Sequence, residues 1–491
     1  MLIYNTLSRK KEEFTPLKPG NVTLYACGVT VYDDCHIGHA RSAVVFDVIV
    51  RYLRFRGFTV TWVRNFTDID DKIIRRAQQE NLSWETVAHT YIASFQRDMQ
   101  ALGVGPADIE PRATEHIEDI IRIIKTLEIK GFAYQRDGDV YFPVAKFPGY
   151  GKLSGRSLDD MLAGARVDVN LQKDNPFDFA LWKASKPGEP AWESPWGPGR
   201  PGWHIECSAM CQHYLGDTFD IHGGGADLIF PHHENEIAQS EAAHGKPLAC
   251  YWVHNGMVTI NQEKMSKSLG NFFTIQEVLA KFHPEVVRFF LIQNHYRSPL
   301  DFSDQALAEA ESALMRLYST LMRLEQAVEG TALPEAPPES LSLPGLNPEE
   351  YSRLLSLRPR FMEAMDDDFN TAQVLGHLFE VVRLLNRVLE HNPEERAIAT
   401  PVLAWIRQEL LTLGGVLNLL QHDPQILLQS LRQKTEALTI DPARIEELIE
   451  ARRQARKQKD FALADAIRQQ LVEAGILLED TPQGTTWRVK S

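Results

Sequence analysis

Two histidines lie three residues apart in the run His36-Ile37-Gly38-His39. A strand-like segment precedes this run and a helical segment follows it, so backbone N–H groups and the positive end of a helix dipole there favour phosphate. Gly38 has no Cβ, so a nucleotide ring could lie against its backbone. Both imidazoles could donate hydrogen bonds to phosphate oxygens as charge builds in a transition state. Taken alone, two histidines at this spacing are more often surface or metal-binding residues.

A second motif, Lys264-Met265-Ser266-Lys267-Ser268, is followed by Leu269-Gly270-Asn271. Two ammonium groups on a small loop that ends in glycine suit a clamp on a triphosphate. Lysine and serine also fill ordinary exposed turns, so this motif has a plain structural interpretation as well. The two motifs in this order, separated by a long stretch of chain, indicate nucleotide chemistry more strongly than either one alone.

A third set of residues could bind a metal ion. The chain has five cysteines, an odd and sparse set that argues against a disulfide framework. Glu236 lies four residues after His232, so a helix would project both side chains from one face. Thiolates, an imidazole and a carboxylate form a mixed set that zinc accepts tetrahedrally. The candidates lie far apart in sequence, and each cysteine alone is typical of a small buried hydrophobe.

The elements around these motifs predict a parallel sheet. Asn21–Ala26 is typical of a short buried strand, and residues 37–56 place apolar side chains at helical spacing. Gly57 follows where a left-handed helix cap would lie, and Thr59–Arg64 is rich in β-branched and aromatic residues. Strand, helix and strand form a βαβ unit, the start of a doubly wound sheet. A second transition from strand to turn is predicted at Thr218–Gly225.

A chain of 491 residues is too long to fold around a single hydrophobic core, so several domains are expected. The segment 176–201 is rich in proline and tryptophan and predicts irregular but packed loops within a long insertion. Prolines between 334 and 348 mark a linker. We expect an α/β catalytic domain with a Rossmann-like sheet, a helical bundle and a small α+β end domain. The expected boundaries are 1–318 with an insertion at about 105–200, a linker region 319–348, then 349–425 and 426–491.

Composition narrows the function classes. The net charge of −14 does not indicate binding to nucleic acid. A basic segment lies near residues 452–459, and by itself such a segment is typical of a solvated helix face. No apolar run approaches the roughly 18 residues of a membrane-spanning helix. The N-terminus lacks the charge order of a secretory signal. We therefore expect a cytoplasmic protein that contacts no membrane, and nothing in the sequence suggests more than a monomer.

The chain resembles the class I aminoacyl-tRNA synthetases and, over essentially its whole length, the cysteinyl-tRNA synthetases among them. Besides the histidine and lysine motifs, the resemblance is carried by Cys27-Gly28-Val29-Thr30-Val31-Tyr32-Asp33, Asn65-Phe66-Thr67-Asp68-Ile69-Asp70-Asp71-Lys72, Gly202-Trp203-His204-Ile205-Glu206-Cys207-Ser208-Ala209-Met210, His222-Gly223-Gly224-Gly225-Ala226-Asp227-Leu228 and Pro231-His232-His233-Glu234-Asn235-Glu236. These segments match the family pattern at its functional positions.

The resemblance implies one Zn²⁺ per chain and selects Cys207 over Cys211 and His232 over His233. The implied ligands are Cys27, Cys207, His232 and Glu236. The family also implies that the thiolate of the substrate joins this zinc. Such a bond would separate cysteine from serine, which an apolar pocket distinguishes by only about 1–3 kcal/mol. A serine hydroxyl is a poor zinc ligand at neutral pH.

The implied reaction is ATP-dependent activation of L-cysteine to cysteinyl-adenylate, with Mg²⁺ on the phosphates, followed by transfer to tRNA(Cys). The implied catalytic residues are His36, His39, Lys264 and Lys267, and the implied ATP-binding residues are His36, Gly38, His39 and Lys267. Thr67 and Trp203 would line the amino-acid pocket, and Asp227 would hold the ammonium group. The end domain would read the anticodon through Arg456, Asp465, Asp480 and Trp487.

Two other functions stay open from the sequence. A related ligase could activate cysteine identically and transfer it to an amino-sugar, since fold analogy alone does not fix the acceptor. Those relatives lack the end domain that this chain keeps over residues 446–487. The chain could also be a zinc-containing tRNA-binding protein without catalysis, against which the presence of both nucleotide motifs argues.

Overall fold

The structure is a computed structural model and describes residues 1–156, 173–260, 263–264, 272–334, 343–436, 442–457, 460–473, 476–481 and 484–489. Among these residues, no helix is long and apolar enough to cross a membrane.

Strands and helices are numbered in chain order. The strands are β1 (Leu2–Asn5), β2 (Lys10–Glu13), β3 (Asn21–Thr30), β4 (Thr59–Thr67), β5 (Tyr134–Arg136), β6 (Asp139–Phe142), β7 (Phe179–Ala184), β8 (Gly199–Pro201), β9 (Phe219–Gly225), β10 (Ala249–Asn255), β11 (Val258–Ile260), β12 (Glu263–Lys264), β13 (Leu300–Asp301), β14 (Ile476–Thr481) and β15 (Gly484–Val489). The helices are α1 (Ile37–Phe55), α2 (Asp71–Glu80), α3 (Trp84–Ala101), α4 (Ile117–Ile129), α5 (Trp203–Leu215), α6 (Glu234–His244), α7 (Ile275–Lys281), α8 (Pro284–Ile292), α9 (Asp304–Ala327), α10 (Pro348–Leu355), α11 (Leu357–Asp366), α12 (Thr371–Glu390), α13 (Pro393–Arg396), α14 (Thr400–Leu417), α15 (Pro424–Glu436), α16 (Pro442–Lys457) and α17 (Phe461–Glu473).

A four-stranded parallel sheet forms the centre of the first half of the chain, with the strand order β10-β9-β3-β4. From β3 the chain adds β4 on one side, and the later strands β9 and β10 lie on the other side. The strand order therefore reverses between β3 and β9. In doubly wound sheets, ligands bind beyond the carboxyl ends of the strands at such a switch point.

The predicted βαβ unit is confirmed, with longer strands than the sequence indicated. Strand β3 continues past Ala26 to Thr30, with an irregularity in its pairing to β4 between Ala26 and Val29. Helix α1 ends at Phe55, and Gly57 has φ +89°, the left-handed conformation that glycine adopts at little cost. Most side chains of α1 that face the sheet are buried apolar residues. This packing fixes where the N-terminus of α1 lies relative to the sheet.

The glycines after His222 form strand rather than turn, which corrects the prediction for this segment. Strand β9 runs through Gly225 and pairs with β10 along its length. A Cβ on Gly223 would lie 2.2 Å from the ring of Phe46 on α1. Glycine is required there because α1 packs directly onto the strand.

The inserted segment contains a sheet, so the prediction of irregular loops is wrong for part of it. Strands β5, β6, β7 and β8 form an antiparallel sheet in that order. Trp182 and Trp196 are buried in a core that this sheet shares with α4. Large aromatic side chains on β7 hold these short strands in place, and the proline-rich composition obscured their pattern.

The helices that follow pack on the sheet domain through one continuous apolar core. Arg288 of α8 lies within this contact and is 1% exposed. Its Nε donates to the carbonyl of Leu417 at 2.7 Å, its Nη1 donates to the carbonyl of Leu102 at 3.2 Å, and its Nη2 pairs with Asp47 of α1 at 2.5 Å. One guanidinium thus joins α1, the end of α3 and the end of α14.

The last part of the described chain has two helices followed by a hairpin. Helices α16 and α17 pack on each other, and β14 pairs antiparallel with β15, with Leu478 opposite Trp487. Ile445, Leu448, Ile467 and Leu471 form a small core with Ile476. The predicted α+β end region is confirmed.

Candidate active site and metal centre

The histidine pair caps helix α1. His36 is the N-terminal cap, and its Nδ1 accepts from the N–H of Gly38 at 3.1 Å. The Nδ1 of His39 accepts from the N–H of His36 at 3.2 Å, and the two rings stack with centroids 3.7 Å apart. Because each Nδ1 is an acceptor, each neutral ring carries its proton on Nε2. A Cβ on Gly38 would lie 2.9 Å from the His36 ring, so glycine is needed by this arrangement itself.

Burial keeps both imidazoles neutral. It lowers the pKa of His36 to about 4, and it holds the pKa of His39 well below its usual range. At neutral pH each ring therefore offers an N–H donor and no positive charge. A preorganised pair of this kind can stabilise an oxygen that gains charge during a reaction.

A cavity of about 610 Å³ lies beyond the strand ends at the switch point. Six of the residues predicted for the site line it: Cys27, His36, Gly38, His39, Trp203 and Asp227. Asp227 lies on the short 3-10 turn Ala226–Leu228 that directly follows β9. Trp203 begins α5 and is 37% exposed. A cavity of this size suits a nucleotide together with a small amino acid.

Three of the four residues predicted as metal ligands, Cys27, His232 and Glu236, place ligand atoms within 4.8 Å of one another, and Cys207 lies beside Cys27. The Sγ of Cys27 lies 3.8 Å from the Sγ of Cys207 and 3.5 Å from Oε1 of Glu236. The Nε2 of His232 lies 3.0 Å from the same Glu236 oxygen. Cys27 lies at the irregularity in β3, Cys207 lies on α5, and the other two lie on successive turns at the start of α6. The predicted common face of His232 and Glu236 is observed.

The pKa values of the residues in this cluster are strongly shifted from their usual ranges. The hydrogen bond from Cys27 lowers the pKa of Cys207 to about 6, against the effect of burial, whereas burial raises the pKa of Cys27. Burial would raise the pKa of Glu236, but His222 and His232 hold it well below its usual range. Burial opposes protonation of His232, but Glu236 outweighs it and raises the pKa to about 10. The opposing shifts show acidic donors packed around His232, whose imidazole can carry positive charge.

This donor set fits a divalent cation. Buried anions need a nearby positive charge. A zinc ion bound by these atoms would supply it, with the imidazole neutral, as a ligand must be. Two sulfurs, one nitrogen and one oxygen form a set that zinc accepts.

His233 lies closer to the cluster than the sequence indicated. Its Nε2 is 3.3 Å from the Sγ of Cys27, and its Nδ1 is 2.8 Å from Nε2 of His254. One ligand atom from each of Cys27, His232, His233 and Glu236 lies within 4.8 Å of the others. The family resemblance selects His232, whereas the structure brings both imidazoles within reach of the thiol and the carboxylate.

Several supporting residues were not predicted. His222 places Nε2 at 2.8 Å from Oε2 of Glu236 and is fully buried, and Asn65 accepts from the N–H of Gly28 at 2.9 Å. Both lie near the carboxyl ends of strands that flank β3, which is the signal that could have found them. Arg64 and Lys72 also line the cavity and place positive charge in its wall.

Other predicted residues lie elsewhere. Thr67 is 2% exposed and hydrogen bonds to Glu206 at 2.9 Å, behind the residues that line the cavity. Lys264 belongs to β12, and Lys267 lies outside the described residues. Arg456 on α16 and Asp465 on α17 are exposed, and Asp480 and Trp487 belong to the β14–β15 hairpin.

Comparison with known proteins covers almost the whole chain. A family profile described as tRNA synthetases class I (C) catalytic domain matches residues 13–312, and a DALR domain profile matches residues 360–421. A profile described as cysteinyl-tRNA ligase anticodon binding domain matches residues 442–488. The cysteine–tRNA ligase of Pelobacter propionicus is 56% identical over 489 residues, 99% of each chain. The chain belongs to the cysteine–tRNA ligase family. Another member, from Trichlorobacter lovleyi, is 58% identical over 99% of each chain.

Solved structures show the same class I fold at low sequence identity. Methionyl-tRNA synthetase of Mycobacterium tuberculosis in complex with methionyl-adenylate has a TM-score of 0.60 and 15% identity, over 86% of this chain and 94% of that one. A putative arginyl-tRNA synthetase of Campylobacter jejuni has a TM-score of 0.55 and 11% identity, over 82% and 94%. The family and the fold thus agree with the doubly wound sheet followed by helical domains.

Proposed function

We propose that this chain activates L-cysteine with ATP to form cysteinyl-adenylate and transfers the cysteinyl group to tRNA(Cys). One observation carries the proposal. The neutral histidine pair lines the same 610 Å³ cavity as Cys27, which joins the cavity to the cluster of thiols, imidazole and carboxylate. Nucleotide-binding and cysteine-selecting groups are therefore adjacent, as activation of cysteine requires.

In the first step, a carboxylate oxygen of cysteine attacks the α-phosphorus of ATP. The new P–O bond forms as the bond to pyrophosphate breaks, and pyrophosphate leaves with the bonding electrons. The Nε2–H groups of His36 and His39 donate to phosphate oxygens that gain charge, which is an electrostatic contribution. Lys264 and Lys267 are proposed to hold the leaving pyrophosphate, and Mg²⁺ accompanies ATP to shield its phosphates. In the second step, a ribose hydroxyl of the terminal adenosine attacks the adenylate carbonyl and AMP leaves.

The substrate cysteine would lie between a charged carboxylate and an aromatic ring. Asp227 follows β9 in the cavity wall and offers a carboxylate for the substrate ammonium group. Trp203 offers an aromatic face to the substrate side chain from the start of α5. Thr67 is proposed to act from behind the wall by holding Glu206.

Cys27, Cys207, His232 and Glu236 are proposed to hold one zinc ion per chain. When bound, zinc supplies a Lewis acid that prefers a thiolate to a neutral hydroxyl, which favours cysteine over serine. Cys207 has a lowered pKa and gives up its proton readily, as a ligand must. His222 orients Glu236 by a buried hydrogen bond.

The end domain is proposed to recognise the anticodon. Arg456 and Asp465 are exposed on two packed helices, and Asp480 and Trp487 belong to the adjoining hairpin. Arginine can contact guanine with two hydrogen bonds, and carboxylates can accept from exocyclic amines. We propose the boundaries 1–318, 319–348, 349–425 and 426–491 for the catalytic, linker, helical and anticodon-binding regions, and a cytoplasmic monomer.

The function is tested by two assays on the same purified chain. Cysteine-dependent exchange of labelled pyrophosphate into ATP reports activation, and charging of tRNA(Cys) reports transfer. We expect both, with no transfer to an amino-sugar acceptor. Absence of exchange would favour a tRNA-binding protein without catalysis, and transfer to the amino-sugar in place of tRNA would favour the related ligase.

The substitution Arg456→Ala separates the two halves of the proposal. We expect it to lower kcat/KM for tRNA charging by about 5- to 150-fold, the effect of losing about 1–3 kcal/mol of base contact. Pyrophosphate exchange should stay at the level of the parent chain. Equal losses in both assays would contradict a role in the anticodon-binding domain.

A further inference from the structure

Three further metal-ligating side chains meet away from the cavity, where the start of α4 packs against the end of α5. The Nδ1 of His116 lies 2.9 Å from Oδ2 of Asp119, and the Nδ1 of His213 lies 3.0 Å from the same oxygen. One ligand atom from each residue lies within 4.8 Å of the other two. We propose that His116, Asp119 and His213 bind a second divalent transition-metal ion.

The local structure explains why these side chains converge. His116 directly precedes α4 and Asp119 lies in its first turn, so the three-residue spacing puts both on one side. His213 lies in the last turn of α5, which packs on α4. Ligands bound to zinc at about 2.0–2.2 Å lie roughly 3.3–3.6 Å from one another in a tetrahedron. The two separations from Oδ2 of Asp119, 2.9 and 3.0 Å, are shorter, so side-chain rotations are needed to make room for an ion.

A neighbouring phenol prepares His116 to become a ligand. The Nε2 of His116 lies 3.1 Å from the hydroxyl of Tyr214. A tyrosine hydroxyl can donate to that nitrogen or accept from it. When Nδ1–H of His116 donates to Asp119, the Tyr214 hydroxyl can donate to Nε2. When Nδ1 is free for a metal, the same hydroxyl can accept from Nε2–H. Metal-binding histidines are commonly held by such a partner on their other nitrogen.

Arg122 engages only one of the two carboxylate oxygens of Asp119 and leaves the other available to a metal ion. Arg122 pairs with Oδ1 of Asp119, and its side chain is 60% exposed. The Oδ2 atom is the one on which both imidazoles converge. The guanidinium thus orients the carboxylate without occupying the proposed metal position. The side chain of His213 is 47% exposed, so water can complete the coordination.

The donor atoms define the class of ion. Two imidazoles and one carboxylate suit Zn²⁺, Co²⁺, Ni²⁺ or Cu²⁺, whereas Mg²⁺ and Ca²⁺ prefer a set made of oxygens. An ion here would connect α4, in the inserted segment, to α5, which carries Cys207. Binding to the folded chain alone would stabilise it.

Titration with Co²⁺ on the metal-stripped full chain tests the proposal. We expect two equivalents, of which one shows thiolate-to-cobalt charge transfer from the cysteine cluster and the other shows only the weaker d–d bands of nitrogen and oxygen ligands. His213→Gln should weaken the second equivalent at least roughly tenfold and leave the charge-transfer band unchanged. His391→Gln is the matched control, because His391 is similarly exposed and pairs with Glu395 at 2.9 Å.

The outcomes separate this proposal from the zinc site of the cavity. Loss of the charge-transfer band with retention of the other equivalent would overturn only the cysteine cluster. A single equivalent in the parent chain that shows the charge-transfer band, or an undiminished second equivalent in His213→Gln, would overturn the second site. As an independent measure, Co²⁺ beyond the first equivalent should raise the thermal midpoint of the parent and the His391→Gln chain but not of Asp119→Asn. A rise of the same size in Asp119→Asn would also overturn it.

Discussion

The cysteine cluster below the cavity and the histidine cluster between α4 and α5 both combine imidazole and carboxylate groups, and only the first adds thiols. In the first, the side chains of His232 and Glu236 are 2% and 0% exposed. In the second, those of His213 and Asp119 are 47% and 14% exposed. Burial forces the first cluster to balance its anions internally, since water cannot. Solvent reaches the second cluster through His213, although His116 there is only 5% exposed, so its donors depend less on a neighbouring positive charge.

The largest effect is expected for Cys207→Ser. This change replaces a thiolate with a hydroxyl that does not ionise at neutral pH. Mutating a residue that hydrogen bonds to a metal ligand usually lowers metal affinity or activity by about 10- to 100-fold. Removal of a ligand itself should therefore lower kcat/KM for cysteine activation by more than about 100-fold. Metal analysis should show loss of one zinc per chain. Full exchange activity without that zinc would contradict the role of the buried cluster.

The substitution His222→Phe tests the support of the same cluster. Phenylalanine keeps the stacking on Trp252, whose ring lies 4.5 Å from that of His222, but cannot donate to Glu236. We expect zinc affinity to fall about 10- to 100-fold. His222→Gln restores a donor and should recover much of the affinity. If both variants bind zinc equally well, the hydrogen bond to Glu236 has no part in metal binding.

The pH dependence of stability tests whether burial also controls the histidine pair. The pKa of His36 is about 4 in the folded chain, below the usual 6.5, so the unfolded chain binds more protons between these values. Stability from this group is therefore full above pH about 6.5 and decreases as the pH falls towards 4, by at most about 1.4 kcal/mol per unit. His36→Asn keeps a capping side chain. Its thermal midpoint should fall less than that of the parent between pH 7 and pH 5, and parallel curves would contradict a neutral buried His36.

The smallest effect is expected for His213→Gln on activity. This residue lies outside the cavity, and surface changes usually alter stability by less than about 0.5 kcal/mol. Pyrophosphate exchange should stay within about twofold of the parent, as measured in parallel with Cys207→Ser. A loss comparable to that of Cys207→Ser would mean that the exposed cluster supports the active site through α5.

Local sequence patterns predicted much of the fold. Gly57 adopts the left-handed conformation that its position after α1 indicated, and β3 and β4 flank that helix as expected. The glycines of β9 were predicted in a turn, whereas they continue the strand; the need for Gly223 comes from Phe46, which is distant in sequence. The sheet in the insertion was missed because proline and glycine interrupt strands too short to show alternation.

The site was predicted less completely than the fold. Motif resemblance named Cys27, Cys207, His232 and Glu236, and these residues do converge. The approach of His233 to Cys27, and the support from His222 and Asn65, depend on how α6 and the strand ends pack together. His116 and His213 meet only because α4 packs on α5. No spacing in the sequence encodes such contacts between distant segments.

Helix α1 is held near its middle by the ion pair between Asp47 and Arg288. Its first turn carries the histidine pair, and Asp47 farther along it is held by Arg288, whose guanidinium also grips carbonyls at the ends of α3 and α14. Arg288 donates to the carbonyl of Leu417 at the end of α14, and a hydrogen bond from a charged donor contributes about 1.5–3 kcal/mol, so moving α14 away from α1 would lose that contribution. Through Arg288 and Asp47, the end of α14 in the helical bundle is thus linked by direct contacts to the helix whose first turn carries His36 and His39.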